Sequence, residues 1–586
     1  MKRTALVRLF FALVAVAYFG SFPYLASINN PNENTRTYLV MALVDHGTFR
    51  LDDVVRRFGW TNDMARVPDP AAPGGTYLAA VKGPAMTYVG VPIYVAQKAV
   101  LRLFGKRPPG PTATPAEAEA WLRTTTLVLQ TFAVHLPCFL FLVWLERRLR
   151  RWSPDDALRL AAVATVGLGT NYLAYSLVFV SHATSAAIVF VAIDVVAAER
   201  LLSRGDPRRA RPRVALLAGF LASAITLLEY QGLFLSVVVA GYAFSIFRAP
   251  RTFAAFAVGG AANVLALMLF QWRSFGSPLT PGHRMMETDA FRALQHQGLF
   301  GITLPHPEAI VGLLFDGGYG LFGTSAFLWL AVPGMAMVLA GAAGKVERER
   351  RLELAVVAVT FVVMVLSVSA AVMWRGGWTI GPRYLGAAPA LVGLLALAAL
   401  VRASRRFPAF RDPIRGLAVG LAAASIVRGG AIGLVVSTLP EAIVRPVAQI
   451  LVPFVRLRLM PHHPLELLGV ASVWPAFLPL VAVALAWVTI ATARLGAREL
   501  PVALLVGALA IVPALWMPTA PDAGPEVRAL FFSKWEPAGR DVLSLAIRRA
   551  AEDPCALHDV ARAERLLGRV RETALAEAQA TRGCPR

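Results

Sequence analysis

The stretch WLRTTTLVLQTFAVHLPCFLFLVWLERRLRRW (residues 121–152) joins a long apolar run to a cluster of four arginines. Its apolar part, residues 121–145, is long enough to cross about 30 Å of hydrocarbon as an α-helix. Because lysine and arginine concentrate in the cytoplasmic loops of membrane proteins, the cluster at 146–152 marks the cytoplasmic end of the run. The stretch therefore predicts a transmembrane helix that runs from the outer face to the cytoplasm.

The composition of the whole chain agrees with a membrane protein. Of its 586 residues, 56% are hydrophobic and 16% are charged, and the mean hydropathy is +0.57. Soluble domains carry about 25% charged residues. The apolar runs lack strict alternation, so they indicate helices and predict an all-α polytopic membrane protein. The first run, residues 4–27, has no obvious small-x-small cleavage site, and we expect a retained anchor.

The basic residues set the topology. They give a net charge of +22, but they lie between the apolar runs, which argues against a nucleic-acid-binding protein. Besides 146–152, the basic clusters are 203–213, 247–251, 345–351, 402–415 and 493–499. With all six in the cytoplasm, about thirteen spans are predicted: 5–27, 121–145, 156–176, 180–200, 212–229, 231–247, 252–272, 324–343, 352–373, 384–402, 415–436, 472–492 and 499–518.

One further segment, PAMTYVGVPIYVAQKAVLRLF (84–104), is also long enough to span. If it did, the cluster at 146–152 and every later cluster would move to the outer side. We therefore expect a helix along the outer interface, where its tyrosines and basic residues fit. The first outer loop, residues 28–120, would then consist of interfacial helices, one of them ending near Gly47.

The chain divides into two predicted parts. Residues 1–518 form the transmembrane module, and residues 519–586 form a small α-helical domain on the outer side. Cys138 lies in an apolar span, whereas Cys555 and Cys584 lie in the tail, where an oxidising compartment favours a disulfide between them. We expect no cofactor, since metal-type Cys or His clusters are not seen, although the sequence leaves a divalent metal open.

Charged and polar residues recur at the outer ends of the spans and in the outer loops. A charge at a membrane boundary is costly without a partner and is a functional candidate by default. Because these residues converge on one face, they predict an outer cavity. They are Glu33, Arg36, Tyr38, Lys82, His182, Glu229, Tyr230, the block 282–298, and Arg383 and Tyr384 within 373–385.

Each of these residues also has a structural explanation. Glu33 could simply begin a helix, and Lys82 could be an interface anchor whose ammonium reaches water. His182 could be a helix cap. Glu229 could be a partner of Arg273 or Arg383, and Arg383 could be an ordinary boundary arginine.

Three stretches resemble the GT-C class of lipid-dependent glycosyltransferases, in particular the family 39-like and aminoarabinose-transferase-like enzymes. They are PNENTRTYLVMALVDHGTFRLDD (31–53), YLAAVKGPAMTYVGVPIYVAQKAVLRLFG (77–105) and GPRYLGAAPAL (381–391). The family pattern has an acidic pair where this chain has Asn32 and Glu33, and Lys-Pro-Pro where it has Lys82-Gly83-Pro84. The resemblance implies a GT-C-like fold in a bacterial inner membrane.

The resemblance also implies a function. The donor would be a polyprenyl-phosphate sugar, and a hexosyl or pentosyl group would pass at the outer face to a hydroxyl of a lipid, glycan or protein. Glu33 would be the catalytic base, with Asp45, Asp52, Asp53 and Glu229 as substitutes. The substrate-binding residues would be Arg36, Tyr38, Lys82, His182, Glu229, Arg383 and Tyr384.

Other function classes remain open. A transporter would show a repeat between halves and broken helices near mid-bilayer, and neither is clear in the sequence. A non-catalytic membrane scaffold would not need outer charges that converge, and a polymerase or ligase of envelope glycans would also work at the outer face. A cavity that joins Glu33, Lys82 and Arg383 and opens to lipid would favour the transferase.

The topology yields a first prediction. A fluorescent reporter that folds only in the cytoplasm should stay dark when it is fused after residue 586, because an odd number of spans carries the tail outside. The same reporter fused after residue 152 should fluoresce, which controls for expression. A bright C-terminal fusion would overturn the whole arrangement.

Overall fold

The computed structural model describes residues 3–24, 30–339, 345–457, 460–470, 472–516, 555, 557–558, 561 and 570–584. The all-α architecture is confirmed: within these residues the only sheet has two strands. Up to residue 275, the helices are α1 (Arg3–Phe19), α2 (Pro31–His46), α3 (Asp52–Phe58), α4 (Ala85–Leu103), α5 (Pro115–Leu129), α6 (Leu136–Leu149), α7 (Asp156–Leu168), α8 (Asn171–Tyr175), α9 (His182–Leu202), α10 (Pro212–Leu228), α11 (Leu233–Phe244) and α12 (Pro250–Phe275).

The second half of the chain contains shorter and more interrupted helices. They are α13 (Asp289–Gln295), α14 (Pro307–Phe315), α15 (Leu321–Thr324), α16 (Ala331–Ala336), α17 (Lys345–Ser369), α18 (Ala388–Arg406), α19 (Arg411–Ser425), α20 (Val452–Leu457), α21 (Leu478–Arg494), α22 (Glu499–Trp516) and α23 (Val570–Gly583).

Six helical stretches in the described residues are long and apolar enough to cross a membrane, and five more are apolar but shorter. Each of the thirteen predicted spans contains at least one helix, although the number that actually crosses stays a prediction. Within the span 324–343, a 3-10 helix at Ala326–Leu330 leads directly into α16, and the helix of the first span already ends at Phe19. Helix α4 is not among the six, and its place along the outer interface stays a prediction.

Helices α5 and α6 form one continuous helical stretch, Pro115–Leu149, with a π-helical turn at Gln130–His135 in its middle. A π-turn adds one residue to a helical turn and occurs often at functional sites. Here it lies where the stretch passes α2, because the Gln130 side chain bonds a residue of that helix.

Helix α2 begins and ends as its sequence predicts. The Asn30 side chain caps the N-terminus by accepting from the backbone N–H of Glu33, and Pro31 occupies the first helical position. At the other end Gly47 adopts the left-handed conformation, with φ +64°, which glycine accepts without strain. These caps fix which residues of α2 face the interior of the protein.

The first outer loop differs from the prediction in one respect, since it contains a hairpin as well as helices. Strands β1 (Met64–Pro68) and β2 (Thr76–Ala80) pair antiparallel with Met64 opposite Ala80. In the second part of MARVP, buried and exposed residues alternate. This is the pattern of a β-strand with one face against the protein and the other in solvent. The hairpin places the residues just before β1 beside those just after β2.

The predicted cytoplasmic ends are held together by buried ion pairs. Arg159 is fully buried and donates to Glu146 at 3.0 Å, to Asp156 at 2.5 Å and to the backbone carbonyl of Ser153. Arg159 thus bridges two carboxylates, each of which has a second arginine partner, Arg150 for Glu146 and Arg494 for Asp156. In the tail, Cys555 and Cys584 are disulfide-bonded, with their Cα atoms 5.1 Å apart. Apart from residues 555, 557–558 and 561 and the segment 570–584 that contains α23, the predicted tail domain lies outside the described residues.

We expect Arg159→Leu to lower the free energy of unfolding by about 3–5 kcal/mol, because it removes the fully buried partner of Glu146 and Asp156 and leaves them only the more exposed Arg150 and Arg494. Thermal unfolding of the detergent-solubilised protein measures the change. The control is Arg209→Leu, since the side chain of Arg209 is 64% exposed and its pair with Asp206 is weak. Equal melting temperatures for the two variants would contradict the role of Arg159.

Candidate functional site

Glu33 lies in the first turn of α2 and is buried, with 3% of its surface exposed. Its Oε1 accepts hydrogen bonds from the side chain of Gln130 at 2.8 Å and from the backbone N–H of Phe179 at 2.5 Å. Burial raises the pKa of Glu33 to about 7, against these two hydrogen bonds, which lower it. A carboxyl group with this pKa can exchange a proton near neutral pH.

A cavity of about 790 Å³ lies against Glu33. Since no hydrogen bond to Oε2 is found in the described residues, this oxygen is available to a ligand. The cavity has the volume of a small-molecule site and carries aromatic, amide and charged side chains. Its lining includes Tyr24, Asn30, Asn34, Tyr38, His46, Asp53, Arg56, Arg57, Phe58, Glu119 and Ser437.

Tyr38 lines the same cavity one turn beyond Asn34. The ring is fully buried, and its hydroxyl donates to the backbone carbonyls of Phe58 and Gly59 at 3.1 and 3.2 Å. Tyr38 thus ties α2 to the end of α3 and shapes one wall of the cavity.

Arg36 does not pair with Glu33, although one helical turn separates them. Its guanidinium donates to the backbone carbonyl of Asn32 at 3.2 Å and to the hydroxyl of Ser181 at 2.9 Å, and its Nε is buried without a partner. Burial lowers the pKa of Arg36 to about 10, and the positive charge of Arg383 acts in the same direction. An unpartnered, buried N–H group is a ready donor to an anion.

Lys82 follows β2 and forms an ion pair with Asp63, 3.0 Å between Nζ and Oδ1. Close packing explains why the residue between Lys82 and Pro84 is a glycine. A Cβ on Gly83 would come within 2.6 Å of the backbone carbonyls of Leu227 and Leu228, so only glycine lets this turn lie against the end of α10.

Glu229 follows α10 directly and pairs with His182, the first residue of α9, at 2.7 Å between Oε1 and Nδ1. Its partner is therefore neither Arg273 nor Arg383. The two side chains border a narrow cleft that also contains Tyr384 and apolar side chains of the predicted spans, such as Leu235, Met364 and Val368. The polar site thus adjoins apolar surface within the helical bundle.

Arg383 projects from the loop before α18, with its guanidinium 4.9 Å from the ring centroid of Tyr384 and one N–H donated to the tyrosine hydroxyl. Its Nε is buried and has no partner. Gly376, at φ +81°, makes room for it, because a Cβ there would lie 2.7 Å from that Nε. In RGGWTIGPRYL, Gly376 therefore has a second role besides the turn, which is to leave space for the guanidinium of Arg383.

Asp63 and His283 also belong to this site, and Asp63 was not among the predicted site residues. Burial would raise the pKa of Asp63, but the charges of Lys82 and Arg383 hold it below its ordinary value. Burial and the nearby ammonium of Lys82 lower the pKa of His283 to about 3, so it is neutral at pH 7. In the sequence, the only feature that marks Asp63 is the Asn62-Asp63 pair, which is typical of a turn before a strand.

The predicted site residues therefore fall into two adjoining groups. Glu33 and Tyr38 line the cavity, whereas Lys82 and Arg383 are not among its lining residues. Since Glu33 and Arg36 are about 4.5 Å apart along the helix axis, the two regions are neighbours. We call the second group the outer charge cluster, which consists of Arg36, Asp63, Lys82, His182, Glu229 and Arg383.

All four substitute carboxylates have partners, and those of Glu229 and Asp53 are His182 and Arg56. Asp45 pairs with Lys98 and accepts from the hydroxyl of Tyr94, and Asp52 accepts from the backbone N–H of Leu78. These contacts support α4 and the hairpin. In the part of the chain that the structure describes, no group of three or more His, Cys, Asp and Glu side chains is arranged to hold a metal ion.

Comparison with known proteins gives one structural likeness. No protein-family model matches the sequence, and no curated protein matches it. Among solved structures, the chain is similar to the crystal structure of ArnT from Cupriavidus metallidurans bound to undecaprenyl phosphate. The sequences are 14% identical, the likeness covers 94% of this chain and 89% of that chain, and the TM-score is 0.42.

Proposed function

We propose that the protein is an integral-membrane glycosyltransferase that moves a hexosyl or pentosyl group from a polyprenyl-phosphate donor to an acceptor hydroxyl at the outer face of a bacterial inner membrane. The observation that supports it is the outer charge cluster beside a cavity that holds a buried carboxylate. Three cations, Arg36, Lys82 and Arg383, face two carboxylates, Asp63 and Glu229, which leaves one positive charge when His182 is neutral.

One excess positive charge suits a phosphodiester, which carries one negative charge. The unpartnered Nε atoms of Arg36 and Arg383 supply N–H donors for its oxygens. The cleft beside His182 and Glu229 is lined in part by apolar side chains of the predicted spans. The isoprenoid tail would therefore remain in the bilayer while the phosphate lies in the cluster.

The transfer step uses both regions. The oxygen of the acceptor hydroxyl attacks the anomeric carbon, the bond from that carbon to the phosphate oxygen breaks, and its electron pair stays on the phosphate. The hydroxyl proton passes to the carboxylate of Glu33, which lines the cavity where the acceptor would lie. Lys82 and the two arginines stabilise the negative charge that grows on the leaving phosphate.

The alternative functions fit these observations less well. A scaffold would not need three cations at the membrane boundary with donors left unpaired. A transporter would need a route to the opposite face, whereas the predicted cytoplasmic end is tied by buried ion pairs such as that of Arg159 with Glu146. A polymerase or ligase of envelope glycans uses a similar donor, and identification of the acceptor separates it from a transferase of single sugars.

Glu33→Gln should lower turnover about 10²–10⁴-fold and leave folding and donor binding nearly intact, because the amide cannot accept the proton. In the wild type, turnover should rise with pH through about 7, the pKa of Glu33, because only the ionised carboxylate is a base. The variant should lose this dependence.

The assay uses the donor lipid that mass spectrometry finds to accumulate in a deletion strain. Asp289→Asn, in the same outer region but with a side chain that is 87% exposed, is the control. A Glu33→Gln enzyme with near-normal turnover would show that Glu33 only begins α2.

Lys82→Ala should weaken binding of undecaprenyl phosphate about 10–100-fold, since a charge-assisted hydrogen bond to the phosphate is lost. Binding is measured in nanodiscs against the neutral undecaprenol. Lys98→Ala is a matched control, because Lys98 lies in the same loop, is paired with Asp45 and is 14% exposed against 15% for Lys82. A wild-type protein that binds both lipids equally would contradict the proposed function.

A further inference from the structure

The backbone of Asp63 is fixed by hydrogen bonds of the loop around it, whereas its side chain has one partner. The neighbouring Asn62 fixes the loop: its carbonyl accepts from the hydroxyl of Thr35, and its side chain accepts from Thr288 and from the N–H of Asp63. The carboxylate of Asp63 bonds only Lys82 among the described residues. A rotation of this side chain would therefore free Lys82 without movement of the hairpin.

Asp63 also acts on more than one cation. Its negative charge is felt by Lys82, by Arg383 and by Arg36. Arg36 and Arg383 in turn repel each other, and each keeps a buried Nε without an acceptor. The carboxylate of Asp63 thus fills part of an anion site. The unpartnered Nε–H groups of Arg36 and Arg383 could bind a larger anion, such as a phosphate group, in the same site.

The proposed reaction changes the charge of the lipid in this site. The donor is a phosphodiester with one negative charge, whereas the product is a phosphate monoester with about −1.5 to −2 at pH 7. With Asp63 ionised the cluster carries one excess positive charge, which matches the donor. Without Asp63 it would carry two, which matches the product and would slow its release.

We propose that Asp63 is a positioning residue that acts as an internal counter-anion: it binds Lys82 in the empty site, yields to the donor phosphate, and competes with the product phosphate for Lys82 so that the product leaves. This inference rests on the proposed function, because it takes polyprenyl phosphate as the ligand of the cluster. It differs from a base role, in which Asp63 would receive the acceptor proton, and from a purely structural role.

The three roles predict different results for Asp63→Asn. Asparagine tolerates the left-handed conformation of this residue, φ +63°, so the variant changes the charge and spares the backbone. If Asp63 is a counter-anion, undecaprenyl phosphate binds about tenfold more tightly, KM for the donor falls, and kcat falls because product release becomes slower. A base would lose kcat at unchanged affinity, and a structural residue would lose affinity and thermal stability.

The experiment measures binding of undecaprenyl phosphate to the full chain in nanodiscs, together with KM, kcat and inhibition by added undecaprenyl phosphate. Glu287→Gln is the matched control. Glu287 has the same exposed fraction as Asp63, 17%, but it pairs with Arg66 and Trp60 outside the cluster. It should leave all four quantities unchanged.

Tighter binding and stronger product inhibition in Asp63→Asn alone would support the inference, and unchanged or weaker binding would overturn it. If the variant does not fold, Asp63→Gly repeats the test, since glycine also accepts the backbone conformation; failure of both to fold would mean a structural role and overturn it as well. If the wild type does not prefer undecaprenyl phosphate to undecaprenol, the proposed function itself fails.

Discussion

The site depends on one electrostatic constraint, which is that charges near a membrane must be compensated by the protein itself. Arg36, Lys82 and Arg383 lie together at the predicted outer boundary, and two carboxylates compensate only part of their charge. At the predicted cytoplasmic end Arg159 pairs with one oxygen of Glu146 and one of Asp156, and Arg150 and Arg494 pair with the other oxygens. The carboxylates at that end are thus compensated by arginines of the protein itself.

Two glycines contribute to this arrangement, because the absence of a side chain lets neighbouring backbone and charged groups pack closely. Gly83 brings the turn of Lys82 against the carbonyls at the end of α10, and Gly376 leaves space for the guanidinium of Arg383. At both positions a side chain would collide with atoms less than 3 Å away. The position of the two cations is therefore set by residues that have no charge of their own.

The sequence predicted the helical architecture and most of the charged residues of the site, because apolar length and basic loops are strong signals. It did not predict how the charges pair. Glu33 and Arg36 lie one helical turn apart, a spacing that favours an ion pair, but Arg36 donates to Ser181 and Glu33 accepts from Gln130, both distant in sequence. Burial outweighs the hydrogen bonds from the backbone of Phe179 and the side chain of Gln130, so the pKa of Glu33 is raised. Asp63 was missed because its partner Lys82 lies across the β1–β2 hairpin and Arg383 comes from a distant loop, so that a local sequence pattern does not show either contact.

The π-helical turn at Gln130–His135 has a consequence for how this protein can vary. Because the π-turn holds one residue more than an α-helical turn, a one-residue deletion there would restore regular helix and change which side chains of this turn face α2. Gln130 would then point away from α2, and Glu33 would lose its side-chain donor. A regular α-helix in place of the π-turn would therefore disturb the site. The number of residues between α5 and α6 cannot change by even one without this effect.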